Sequence, residues 1–136
     1  MRETYASLWF SDFTCSPSQI TERLGLAPTE CWEKGEPWLP GALRQSNAWH
    51  LYSPLPRSER FLEQHLEALL EMIEPCQAKL LALAQDYDCG INCVGYFEGE
   101  HPGFHLSAKL IGRLNKLSLD VDFDLYCLGG EENETA

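Results

Sequence analysis

Residues 119–127 alternate without a break: Leu119, Val121, Phe123, Leu125 and Cys127 fall on one phase, Asp120, Asp122, Asp124 and Tyr126 on the other. A period of two is that of a β-strand, and a carboxylate at every second position needs water. The strand therefore has one core face and one solvent face. A sheet ending in such a strand is covered by helices on one side, which points to an α+β architecture.

The rest of the chain supplies the elements. Residues 3–13 place Tyr5, Trp9 and Phe13 on one phase and Ala6, Leu8 and Phe10 on the other, which predicts an interior strand. Ser16-Pro17-Ser18-Gln19 carries an N-cap serine, a proline at the first helical position and a glutamine three residues after the cap, so a helix starts there and stops at Gly25. From Ala27 to Asn47 no period is sustained, and Pro28, Gly35, Pro37, Pro40 and Gly41 punctuate an irregular segment with a short strand near 30–33. Trp49 to Tyr52 reads as a second strand. Ser58 is placed to cap a long helix with Phe61, Leu62, Leu66, Leu69, Leu70 and Ile73 inward, and Pro75 divides it from a second piece ending near Asp86. A third strand covers Ile91 to Phe97, and Ser107 to Leu117 forms a helix with Leu110, Ile111 and Leu114 inward. The expected fold is a mainly antiparallel four-stranded sheet with helices on one face, a ferredoxin-like sandwich. A single domain spans residues 1–130, followed by an acidic flexible tail at 131–136.

The chain has 136 residues and a formal net charge of −11. At this length roughly 68% of the unfolded surface can be buried, enough for a core without staples. Ten Lys and Arg against 21 Asp and Glu disfavour nucleic acid as a partner, since phosphate contacts need clustered cations. No apolar run spans a bilayer and no signal peptide is visible at the N-terminus, so the expected location is cytoplasmic, where Cys15, Cys31, Cys76, Cys89, Cys93 and Cys127 stay reduced.

The run Ile20-Thr21-Glu22-Arg23-Leu24-Gly25-Leu26-Ala27-Pro28-Thr29, then Trp32-x-Lys34-Gly35, Trp49 and Leu66-Glu67-Ala68-Leu69-Leu70, resembles the bacterial domain-of-unknown-function family 4279 over most of the chain. Pro102-Gly103, Leu106-Ser107-Ala108 and the terminal strand extend the resemblance. It implies one compact bacterial domain and assigns no reaction, so no catalytic residue is carried over. By their chemistry Leu24, Gly25, Pro28, Trp32 and Gly35 serve as a helix stop, a turn and a tryptophan anchor.

Several constellations bear on chemistry. Cys89 and Cys93 with His101 and His105 have the ligand types of a zinc site, but His101-Pro102-Gly103 is no regular helix and Cys93 is in phase with core residues. Asp120, Asp122, Asp124 and Glu131 fit a calcium-loop spacing, yet Leu125 stands where that loop needs glycine. No metal or cofactor is expected. Serines, cysteines and histidines are many, and no signature selects a nucleophile and base.

Two readings follow. The leading one is a non-enzymatic protein-interaction module, an inhibitor or immunity-type protein, whose acidic residues Glu63, Glu67, Glu71, Asp120, Asp122 and Asp124 meet a basic protein partner. The alternative is a small-molecule binder or enzyme in which residues 27–50 form a pocket walled by Trp32, Lys34, Arg44, Trp49 and His50. A homo-oligomer formed through a sheet edge is a third arrangement.

Overall fold

The computed structural model describes residues 3–100 and 103–129. The elements in chain order are β1 (Glu3–Ser11), α1 (Pro17–Leu24), β2 (Glu30–Trp32), β3 (Pro37–Leu39), β4 (Ala42–Leu43), β5 (Ala48–Tyr52), α2 (Leu62–Ile73), a 3₁₀ turn (Glu74–Cys76), α3 (Gln77–Asp86), β6 (Asp88–Glu98), α4 (Ala108–Leu117) and β7 (Val121–Leu128). Five strands form one sheet in the order β2-β5-β1-β6-β7, while β3 and β4 make a separate hairpin.

The sheet corrects the expected topology. β1 is interior and antiparallel to both β5 and β6, but β6 and β7 run parallel. The sheet is thus mixed and five-stranded. The reason lies in the link between the last two strands: α4 carries the chain back to the end where β6 began, and such a return forces a parallel pair where a tight turn would give an antiparallel one. The principal elements alternate β-α-β-α-β-α-β, which is not the β-α-β-β-α-β order of a ferredoxin-like sandwich.

Local signals explain the helices. The capping box is in place at α1, with Ser16 N–H donating to Gln19 Oε1 at 3.2 Å, and Gly25 ends the helix at φ +85°. Ser107 Oγ accepts from Leu110 N–H at 3.1 Å and caps α4. Ser58 does not cap α2. That helix starts at Leu62, and the Glu59 carboxylate accepts the Phe61 N–H at 3.1 Å. Pro75 interrupts the helix as expected, through one 3₁₀ turn.

One face of the sheet is core. Ala6, Leu8 and Phe10 of β1, Trp49 and Leu51 of β5, and Ile91 and Cys93 of β6 pack against Ile20, Leu66, Leu69, Leu70, Leu80, Leu83 and Leu114 of the four α-helices. Trp49 is fully buried, sits edge-on to Phe10 with ring centres 5.5 Å apart, and donates its indole N–H to Thr21 Oγ1 at 3.0 Å. The helix layer does not reach across β7. Phe123, Leu125 and Cys127, expected in the core, are exposed, and so is Ile111 of α4. The tail at 131–136 and His101 lie outside the described residues.

A buried polar pair ties the end of β5 to α2. Ser53 Oγ lies 2.6 Å from Nδ1 of fully buried His65, and His65 Nε2 is 3.0 Å from the Glu59 carbonyl. A carbonyl only accepts, so Nε2 carries the proton and the serine hydroxyl donates to Nδ1. Burial holds the His65 pKa below its ordinary value of 6.5; the Glu59 carbonyl and carboxylate oppose the shift and Arg57 reinforces it. The folded state therefore binds the proton less readily than the unfolded chain. Stability is fully present above pH 6.5 and is lost as pH falls from there through the depressed folded value. Urea midpoints measured from pH 7.5 to 5 should fall more steeply for the natural chain than for His65→Gln; equal slopes would show that His65 does not carry the dependence.

Candidate functional site

Among the described residues no helix lies over the other face of the sheet. Alternation and register place three rows of side chains there: Glu30, His50, Trp9 and Gly90; Tyr52, Ser7, Asn92 and Asp122; Tyr5, Val94 and Asp124. The centre of the face is made of small residues, while its flanks carry rings and carboxylates. The result is a groove of about 520 Å³ lined by Tyr5, Ser7, Trp9, His50, Tyr52, Asn92, Asp122, Phe123 and Asp124.

Each wall is held by its strand neighbours. Gly90 faces Trp9 across the β1–β6 ladder, and a Cβ at that position would meet Trp9 Cζ2 at 2.9 Å and the Asp120 carbonyl oxygen at 3.2 Å. The missing side chain is what lets the indole lie against the sheet. On the opposite flank Tyr52 donates its hydroxyl to Glu30 Oε2 at 2.6 Å, and Tyr5 meets Tyr52 edge-on at 5.2 Å. The guanidinium of Arg57 stacks over Tyr5 at 4.1 Å and Tyr52 at 4.9 Å while its Nη1 bonds Glu3 Oε1 at 3.0 Å. Burial and, for Tyr52, the bond to Glu30 raise both phenols above their ordinary value, so both are neutral donors at neutral pH. His50 is held below 6.5 by burial, against the pull of Glu30. Asn92 Oδ1 is buried and has no hydrogen-bond partner.

The residues singled out from sequence are distributed differently. Asp122 and Asp124 stand on the groove's edge and His50 on its wall, whereas Asp120 precedes β7 and gives its backbone carbonyl to Ile91 N–H at 2.9 Å. Glu63, Glu67 and Glu71 belong to α2 in the helix layer, on the far side of the sheet from the aspartates. Glu67 and Glu71 act electrostatically on Arg113 of α4, which forms a two-pronged ion pair with Glu74 at 2.8 and 2.9 Å. The six acidic residues do not form one surface.

The pocket expected from residues 27–50 is not assembled either. Trp49 points into the core, on the face opposite His50. Trp32 tilts over His50 at 5.4 Å, beside the groove, and Arg44 is stacked between Trp32 at 3.7 Å and half-exposed Trp38 at 4.8 Å. Lys34 lines a separate hollow of about 360 Å³ with Asp12, Phe13, Thr14, Gln45, Ser46 and Asn47. Asn47 holds that segment down: its amide donates to the Phe13 and Cys15 carbonyls at 2.7 and 3.2 Å, and its Oδ1 accepts the Lys34 N–H at 2.7 Å. Sequence reading missed Tyr5, Ser7, Trp9, Tyr52 and Asn92. For Tyr5 and Trp9 the available signal was the ring-bearing second phase of β1; Tyr52 and Asn92 lie on the outward phases of β5 and β6.

Burial pushes the Cys93 thiol up to about 12 and Cys89 to about 11, so neither is a thiolate nucleophile near neutrality. Ser53 and His65 line neither hollow. The alternation of Asp120, Asp122 and Asp124 along a strand edge is not a calcium loop, and among the described residues no three His, Cys, Asp or Glu side chains cluster as metal ligands. Among those residues no helix is long and apolar enough to cross a membrane. Replacing Gly90 by alanine should dislodge the Trp9 ring and shift the tryptophan emission spectrum while leaving the helical circular dichroism signal unchanged. An unaltered emission spectrum would mean that the contact with Gly90 does not set the indole position.

No curated protein and no solved structure matches the chain. A family model does, covering residues 2–128, and its description is a domain of unknown function, DUF4279. With nearly all of its length matched, the chain belongs to the DUF4279 family.

Proposed function

We propose that this protein is a cytoplasmic, non-enzymatic interaction module, of inhibitor or immunity type, that holds a basic protein partner against the open face of its sheet. The observation that carries this reading is the pairing of exposed Asp122 and Asp124 with a ring-walled groove of about 520 Å³. A carboxylate pair beside aromatic faces suits a cation twice over, by direct attraction and by the negative face of each ring. A phosphate-bearing ligand is repelled by the same aspartates, and the net charge of −11 steers a basic protein toward the chain from a distance.

The α2 glutamates lie in the helix layer, on the far side of the sheet from the groove, where Glu67 and Glu71 act electrostatically on Arg113 and Glu74 pairs with it. They are therefore not part of the recognition surface, and the acidic contribution narrows to the β7 aspartates. The 27–50 segment contributes Trp32 at the groove's margin.

Affinity capture from a native lysate at low and at raised salt supplies the test. The natural chain should retain a basic protein that salt displaces. Asp122→Asn with Asp124→Asn should weaken that capture by roughly tenfold or more, the equivalent of about 1.4 kcal/mol, whereas Glu67→Gln with Glu71→Gln should leave it intact. Retention unaffected by the aspartate pair, or abolished by the glutamate pair, contradicts the reading.

A further inference from the structure

The geometry points to a guanidinium as the group that fills the groove: an arginine side chain of the partner, or a free molecule with the same head. The inference deepens the reading of the open face as the recognition surface and rests on it. Three observations converge. Two aspartates two residues apart on one strand face present carboxylates about 7 Å apart along β7, at the edge of a hollow whose walls are the rings of Tyr5, Trp9, His50 and Tyr52. The floor carries the small polar residues Ser7 and Asn92, which leave room for a flat head. The same face already stacks guanidinium groups of its own at its margins, Arg57 over Tyr5 and Tyr52, and Arg44 over Trp32 and Trp38.

A guanidinium meets these demands together. It is planar, so it lies on a ring, and its fork of five N–H donors serves a carboxylate with two parallel bonds. A lysine ammonium offers three donors around one point, is more strongly hydrated and has no plane to stack. Arg57 does not close the site to a cation, because Glu3 pairs with it at 3.0 Å.

The test is a titration of the whole chain, followed by the Trp9 indole N–H resonance and by calorimetry. The probes are a blocked Gly-Arg-Gly peptide, the same peptide with lysine, the same with uncharged citrulline, and agmatine. The arginine peptide should saturate the Trp9 shift. The citrulline and lysine peptides should bind roughly tenfold more weakly, one lacking the charge and the other the fork and plane. Asp122→Asn with Asp124→Asn, checked for unchanged thermal unfolding, should remove the preference for arginine over citrulline. Agmatine binding more tightly than the peptide identifies a free small molecule as the source, and the reverse order identifies a protein side chain. Equal binding of arginine, lysine and citrulline, or saturation that leaves the Trp9 resonance unmoved, overturns the inference. Salt-sensitive capture of a basic protein together with absent arginine selectivity overturns this inference alone. Arginine selectivity without such capture overturns the partner reading alone.

Discussion

The alternation of β1 divides the molecule in two, and every other element takes its place from that division. Ala6, Leu8 and Phe10 turn one way and are fully buried, while Tyr5, Ser7 and Trp9 turn the other way onto a face with no helix above it. Because the side-chain period is two, a slip of one residue would exchange these sets, so burial of the first set fixes the position of the second. β1 pairs with β5 on one side and β6 on the other, and those ladders bring His50, Tyr52, Gly90 and Asn92 beside its outward residues. The core thus specifies the groove without any groove residue contributing to the core.

Within the open face, size decides shape. Ser7 and Asn92 separate Tyr52 from Asp122, Val94 stands between Tyr5 and Asp124, and the space left above the small groups is the groove. The rings do not collapse into it because each is otherwise engaged: Trp9 against Gly90, Tyr52 on Glu30, and Tyr5 between Tyr52 and Arg57. A preformed hollow whose walls are fixed by such contacts loses little conformational entropy when it is occupied.

Much of this was legible in the sequence, and the failures have identifiable causes. The cap at Ser16, the stop at Gly25, the break at Pro75 and the helix start at Ser107 are local and chemical, and each was found where expected. Strand order is not local. The parallel pairing of β6 with β7 depends on where α4 returns the chain, and a helix between two strands was the available sign of it. Apolar phase was misread at two places for one reason, that period tells which side a residue faces and not whether anything covers that side. The ring-bearing phase of Tyr5 and Trp9 was not recognised as an open face, and Phe123, Leu125 and Ile111 were assigned to a core that ends before β7. Among the candidate site residues Asp122, Asp124 and His50 converge on the groove. Trp49 does not, because its neighbours in phase are Leu51 and, across the ladder, Phe10. Neither the hairpin of β3 and β4 nor the anchoring of its segment by Asn47 has a periodic signature, since the hairpin strands are only three and two residues long and the anchor is one side chain bonded to backbone distant in sequence.

Recognition on the open sheet face is the central claim, and side-chain NMR of the complex with the captured basic protein addresses it most directly, the chain being 15.4 kDa. With the aromatic rings selectively labelled, the account predicts that complex formation shifts the signals of Tyr5, Trp9 and Tyr52 and leaves buried Trp49 and the helix-layer residue Phe61 where they are. Shifts confined to the helix layer, with the groove rings unchanged, would contradict it.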